Sequence, residues 1–151
     1  MGKEPDALRY SVLDRLVADA PASARPGFSQ VRRWVIRDLE NLLNTRRRIL
    51  EPPDAYPEIQ TSFYRYGLPD FSARNPKSPF ARVRLQQEVE ETIRLFEPRL
   101  ENVTVRVEDQ DGLRGRLKFR ISAVLVVEPY EEPVLFHTVI DLNRGEAKVS
   151  G

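Results

Sequence analysis

The sequence of 151 residues contains no cysteine, one histidine (His137), one tryptophan and only seven glycines. The missing cysteine removes disulfide scaffolds, thiol nucleophiles and thiolate zinc sites together. With one histidine, a multi-histidine metal centre is impossible, and any Ser-His-Asp arrangement must use His137. No apolar run reaches the roughly 18 residues that a membrane-spanning helix needs. Met1 to Tyr10 lacks the apolar stretch of a signal peptide. Charge of one sign is also missing: 24 cations face 23 acids, a net of +1. That balance argues against a dedicated nucleic-acid binder. The expectation is a cytoplasmic protein with no cofactor and no metal, not inserted in a membrane.

What is present points to folding. The chain is 40% hydrophobic and 31% charged, and its length suits one domain. Twenty of the 24 cations are Arg. The planar guanidinium suits partly dry interfaces, although a GC-rich genome gives the same bias.

Residues Leu8, Val12, Leu13, Leu16 and Val17 recur at helical spacing. A linker rich in Ala and Pro follows, up to Gly27. So short a helix is marginal alone, and residues 1–27 read as a partner-docking segment with its linker. Residues 28–151 read as one α+β domain. Its first helix carries Val31, Trp34, Val35, Leu39, Leu42 and Leu43 on one face, with Ser29 as the expected cap. Arg46, Arg47 and Arg48 lie at its end, and the helix dipole accounts for one such cation more easily than for three. Six of the 12 prolines fall between Pro52 and Pro79, which predicts no helix and no long strand there. That stretch also carries Tyr56, Phe63, Tyr64, Tyr66 and Phe71, so it reads as an ordered Pro- and aromatic-rich loop packed on the scaffold.

A second helix starts at Ser78-Pro79, with Leu85, Val89, Ile93 and Phe96 as its stripe, and Arg84–Glu88 and Glu90–Arg94 as i,i+4 pairs. Pro98 ends it. The remainder alternates as an antiparallel β-meander: Val103 to Val107, a turn at Asp111-Gly112, Leu117 to Val127, Val134 to Leu142, then a short strand after Asn143-Arg144-Gly145. With Pro129 to Pro133 as the loop, Val127 should pair with Val134, Leu125 with Phe136, and Arg120 with Asp141. Leu125 and Phe136 then share the inner face. Val124, Val126, Leu135, Val139 and His137 fall outside, and a helix, the aromatic loop or another chain should cover them.

Catalytic readings are weak. His137 has no nucleophile elbow in the sequence. Glu88, Glu90, Glu91 and Glu97 are helical acids with Arg neighbours, unlike the isolated pair that glycoside hydrolysis needs. Arg114 to Phe119 fails the aromatic positions of an RNA-binding strand. Glu97-Pro98-Arg99 is more informative. Proline stiffens the bend, and the flanking charges either pair with each other or meet a partner at little ordering cost.

Three stretches in order suggest a family. Asp38-Leu39-Glu40-Asn41-Leu42-Leu43-Asn44-Thr45-Arg46-Arg47, Tyr66-Gly67-Leu68-Pro69-Asp70-Phe71 and Glu97-Pro98-Arg99 together resemble TssE, the baseplate subunit of type VI secretion. Ser11 to Leu16 also looks like that family's N-terminal segment, whereas Arg48 stands where a small residue is expected. The family is related to a phage baseplate wedge protein long labelled lysozyme-like. The resemblance implies a non-enzymatic part that joins wedge subunits to the first sheath ring and templates sheath assembly by strand addition. It implies no small-molecule substrate; the alternative is a peptidoglycan hydrolase. The expected partner-binding residues are Glu97, Pro98 and Arg99 at the wedge core bundle, with Arg46, Arg47, Leu13 and Leu16. Reversing the charge at Arg99 is expected to abolish wedge binding and to leave thermal stability nearly unchanged.

Overall fold

A computed structural model describes residues 27–47, 57–60, 62–71, 78–108, 115–127 and 129–151. The expected helix at Leu8 to Val17, with Leu13 and Leu16, lies outside the described residues, as do Arg48, Tyr56 and the Asp111-Gly112 turn.

Helix α1 (Phe28–Asn44) buries Val31, Val35, Leu39, Leu42 and Leu43, the stripe set by their spacing. It begins at Phe28 with Gly27 at the cap, two residues earlier than a Ser29 cap requires. The proline-rich stretch contains two short elements that the proline count did not anticipate. These are α2 (Pro57–Gln60) and a 3₁₀ turn (Phe63–Arg65) capped by the Ser62 hydroxyl. Pro57 stands at a helix start, where its missing N–H would have no helical partner anyway. Helix α3 (Pro79–Phe96) likewise opens on proline and buries Leu85, Val89, Thr92 and Ile93.

Strands β1 (Leu100–Glu108), β2 (Arg116–Val127), β3 (Tyr130–Asp141) and β4 (Glu146–Ser150) form one antiparallel sheet in sequence order. The two long helices pack on one face of this meander, α3 over β1 and α1 toward β4. Phe119, Phe136, Ile121, Leu125 and Val105 are fully enclosed between the layers. On the outer face the described residues place no helix, and Leu135 is 39% exposed.

The β2–β3 register differs from the sequence expectation by four residues. Val127 pairs with Tyr130, Leu125 with Glu132 and Ile121 with Phe136. The choice of face was right, since Leu125 and Phe136 are both buried on the same side. The error came from treating Pro133 as loop. It lies within β3, at a level that β4 does not reach, because β4 pairs only with His137 to Asp141. There a missing N–H interrupts no ladder. The shift moves Arg120 opposite His137, and Asp141 instead pairs with Arg116 at 3.1 Å.

Candidate functional site

The three stretches that carry the resemblance meet at one joint. Helix α1 ends at Asn44 and the chain turns through Thr45, whose hydroxyl donates to the Asn41 carbonyl at 2.8 Å. The next residues run beside the Tyr66–Phe71 loop. Leu68 N–H donates to Thr45 O at 2.9 Å, and Arg47 N–H donates to Leu68 O at 2.8 Å. Gly67 makes this approach possible. Its φ is +95°, and a Cβ there would sit 2.3 Å from Thr45 O.

Arg47 locks the loop against α3. Its Nε donates to the carbonyls of Arg65 and Gly67 at 3.0 and 3.2 Å, and Nη2 donates to the Thr92 hydroxyl at 3.1 Å. Nη1 lies 3.4 Å from Glu88. Thr92 is fully buried, and this bond satisfies its hydroxyl. The contacts made by Arg47, an expected partner residue, are therefore internal. They also correct the expected Arg84–Glu88 pair, because the Glu88 carboxylate turns to Arg47; the Glu90–Arg94 pair forms at 2.7 Å. Arg46 is exposed, and its guanidinium lies against Gly145 in the β3–β4 turn.

The second half of the joint is the corner between α3 and β1. Glu97 is 4% exposed and Arg99 donates to both its carboxylate oxygens at 2.6 Å. The Arg99 Nη2 also reaches Asp38 on α1 at 2.6 Å. Burial alone would lower the Arg99 pKa. The hydrogen bonds and charges of Glu97 and Asp38 outweigh it and hold the guanidinium protonated beyond its ordinary range. Tyr66 stands at the same cluster, its ring edge-on to Phe96 with centroids 5.3 Å apart. Burial, then the charges of Asp38 and Glu97, raise its phenol pKa.

The corner is thus a staple rather than a projecting couple. Glu97 faces inward, Arg99 ties it to α1, and only Pro98 of the three is exposed. The expectation of a stability-neutral charge reversal at Arg99 fails for this reason: a Glu there would face two carboxylates. Sequence reading missed Asp38 and Thr92 as members of the joint. The signal for Arg47 was present, in the excess of cations beyond what the helix end required.

Both sheet margins are partly closed by side chains. On β4, Asn44 donates to Ala147 O at 2.9 Å and accepts from Ala147 N–H at 2.6 Å, which imitates a strand partner. On β1, Glu90 accepts from Val105 N–H at 2.9 Å, and Arg94 donates to Val103 O at 2.8 Å. Such plugs limit unwanted edge pairing. Strand alternation turns the N–H of Val149 outward like that of Ala147, beyond the Asn44 plug.

Among the described residues the candidate acids do not form a catalytic pair. Glu88 and Glu91 line an open groove along α3 with Phe80 and Val83, but Arg47 and Arg65 respectively engage them. The cleft between the joint and the sheet, lined by Leu43, Leu68, Phe71, Leu85 and Ile140, holds about 40 Å³. That is too small for an organic substrate. Among the described residues no helix is long and apolar enough to cross a membrane.

Residues 29–130, more than half the chain, match the family described as baseplate wedge protein gp25. No curated protein matches the chain.

Proposed function

Because the chain belongs to the gp25 family of baseplate wedge proteins, a structural family, we propose that it is the type VI secretion subunit joining the baseplate wedge to the first sheath ring. The chain is a structural baseplate wedge component of a phage-tail-like contractile machine. The joint supports the adaptor role. Asp38, Glu97 and Arg99 on one side, and Arg47, Gly67 and Thr92 on the other, fix α1, the loop and the α3–β1 corner as one body. An adaptor between two moving assemblies needs such a body, since ordering it on binding would weaken the contact.

In this reading the wedge core bundle docks at the corner of exposed Pro98, with Arg99 as its partly accessible charge. Arg46, exposed beside the β3–β4 turn, offers a partner a second charge, and Leu13 and Leu16 provide an apolar anchor. Arg47 serves by holding the loop in place. The incoming sheath strand adds at the β4 margin past Asn44, using the outward backbone of Val149.

The test is co-purification of the full chain with the wedge and sheath subunits of a contractile machine from the same organism. Wild type should bind both. Val149→Pro removes an outward N–H and no ladder bond within the sheet, so it should lose the sheath subunit, keep the wedge subunits and keep its thermal transition. Failure of the wild type to bind either subunit overturns the adaptor reading. Unchanged sheath binding by Val149→Pro overturns the β4 margin as the acceptor.

A further inference from the structure

The outward face of the sheet is patterned in a way that the joint does not use. Strand register places Arg106 opposite Arg120, and Arg120 opposite His137. All three are exposed. Arg106 and Arg120 are like charges directly across strands, which destabilises a sheet. A single carboxylate, Glu108, serves two of them: it binds Arg120 and lies 3.9 Å from His137 Nδ1. Arg106 has no ion pair among the described residues, and neither does Lys148, on the adjoining strand opposite Val139. The fold gains nothing from this opposition. Local rules are broken most often where a surface is kept for a function.

The next levels along the same strands are mixed. Ser122 lies between Thr104 and Leu135, and Val124 between exposed Glu101 and Pro133. At about 3.4 Å per residue, the level of Val124 begins roughly 14 Å from the basic row. Acids also stand on this face: Glu101 opposite Val124, Glu131 beyond it, and the Asp141–Glu146 pair beyond the basic levels.

We infer that this face docks an acidic polypeptide segment of another subunit, its carboxylates on Arg106, Arg120 and Lys148 and its apolar side chains on Val124 and Leu135. The inference rests on the adaptor reading and names a second contact for it. An under-neutralised basic row with the apolar side chains of Leu135 and Val124 on the levels next to it has the charged and apolar parts of a protein interface. Nucleic acid and anionic lipid fit less well. Either would meet the acids on this face, and the whole chain carries a net charge of only +1.

The experiment compares the wild-type chain with Arg106→Glu/Lys148→Glu in titrations with each purified wedge and sheath subunit, at low and high salt. The double variant should bind one of these subunits at least tenfold more weakly. The wild type's affinity for that subunit should fall with salt, and the variant's should not. The thermal transition should stay level or rise, because Arg106→Glu places an acid opposite Arg120. An Asp or Glu reversed to Arg on that subunit should restore binding to the variant. Affinities within twofold of wild type for every subunit overturn the inference and leave the adaptor reading standing. Absence of any wild-type complex overturns both. Loss confined to a single-stranded oligonucleotide, or to vesicles containing phosphatidylserine, with subunit binding intact, also overturns it.

Discussion

Arg99→Ala removes the one cation that neutralises Glu97. The Glu97 side chain is 5% exposed and receives both charge-assisted bonds at 2.6 Å from that guanidinium. Breaking a buried pair by deleting one partner costs about 3–5 kcal/mol. Arg99 itself keeps 24% of its side chain in solvent and Asp38 keeps 33%, so water enters when the Arg is cut back. That screening brings the expected loss to about 2–3 kcal/mol. For a domain of this size the thermal midpoint should fall by roughly 6–12 °C, at about 3–4 °C per kcal/mol. Denaturant unfolding at neutral pH gives the free energy directly, provided the slope with denaturant is unchanged. A cycle with Asp38→Ala separates the two carboxylates. The coupling between Asp38 and Arg99 should be about 1 kcal/mol, well below the total, because that pair is the more exposed. Arg99→Met should recover part of the loss by packing its chain over the corner only if Glu97→Gln accompanies it. A loss below about 0.5 kcal/mol for Arg99→Ala would refute the staple and return the pair to an ordinary surface contact.

Gly67→Ala places a Cβ 2.3 Å from the Thr45 carbonyl at a φ of +95°; it should cost at least about 2 kcal/mol by urea unfolding, and a neutral result would mean that the loop does not run against residue 45. Thr138→Val removes a buried hydroxyl that lacks a partner among the described residues, so the thermal midpoint should rise by about 2–4 °C, for roughly 1 kcal/mol; a fall would show that the hydroxyl is bonded. Asp141 is held below the usual carboxylate range, first by its hydrogen bond from Arg116 and then by the backbone N–H of Arg144. Its folded pKa is depressed, so its contribution is present above the unfolded carboxylate range near 4 and is lost as pH falls through the lower folded value. Asp141→Asn should therefore flatten the acid limb of stability below about pH 4; an unchanged limb in acid unfolding contradicts the assignment.

Much of the architecture was legible because periodicity is a local signal. The apolar stripe of α1, the Ser78-Pro79 start of α3, its end before Pro98 and the alternation of β1 to β4 all rest on neighbours within a few residues. The β2–β3 register was not legible to the residue. Two prolines flank that turn, and which of them lies in a strand depends on how far β4 extends along β3, a tertiary fact. The joint was legible only in part. Its stretches stood out as motifs, but Asp38 and Arg99 are 61 residues apart, and no spacing rule joins them. Glu97 illustrates the difficulty most clearly. A rigid bend predicts that two charges are fixed, and burial decides whether they are fixed outward or inward.

Site-specific photo-cross-linking in the assembled particle tests the adaptor claim most directly. A photoreactive residue at position 98 reports on the corner, and one at position 149 on the β4 margin. Position 98 should capture a wedge subunit and position 149 a sheath subunit in the same particles. Capture of one and the same neighbour at both positions, or of none at either in particles that contain the chain, would contradict the adaptor claim.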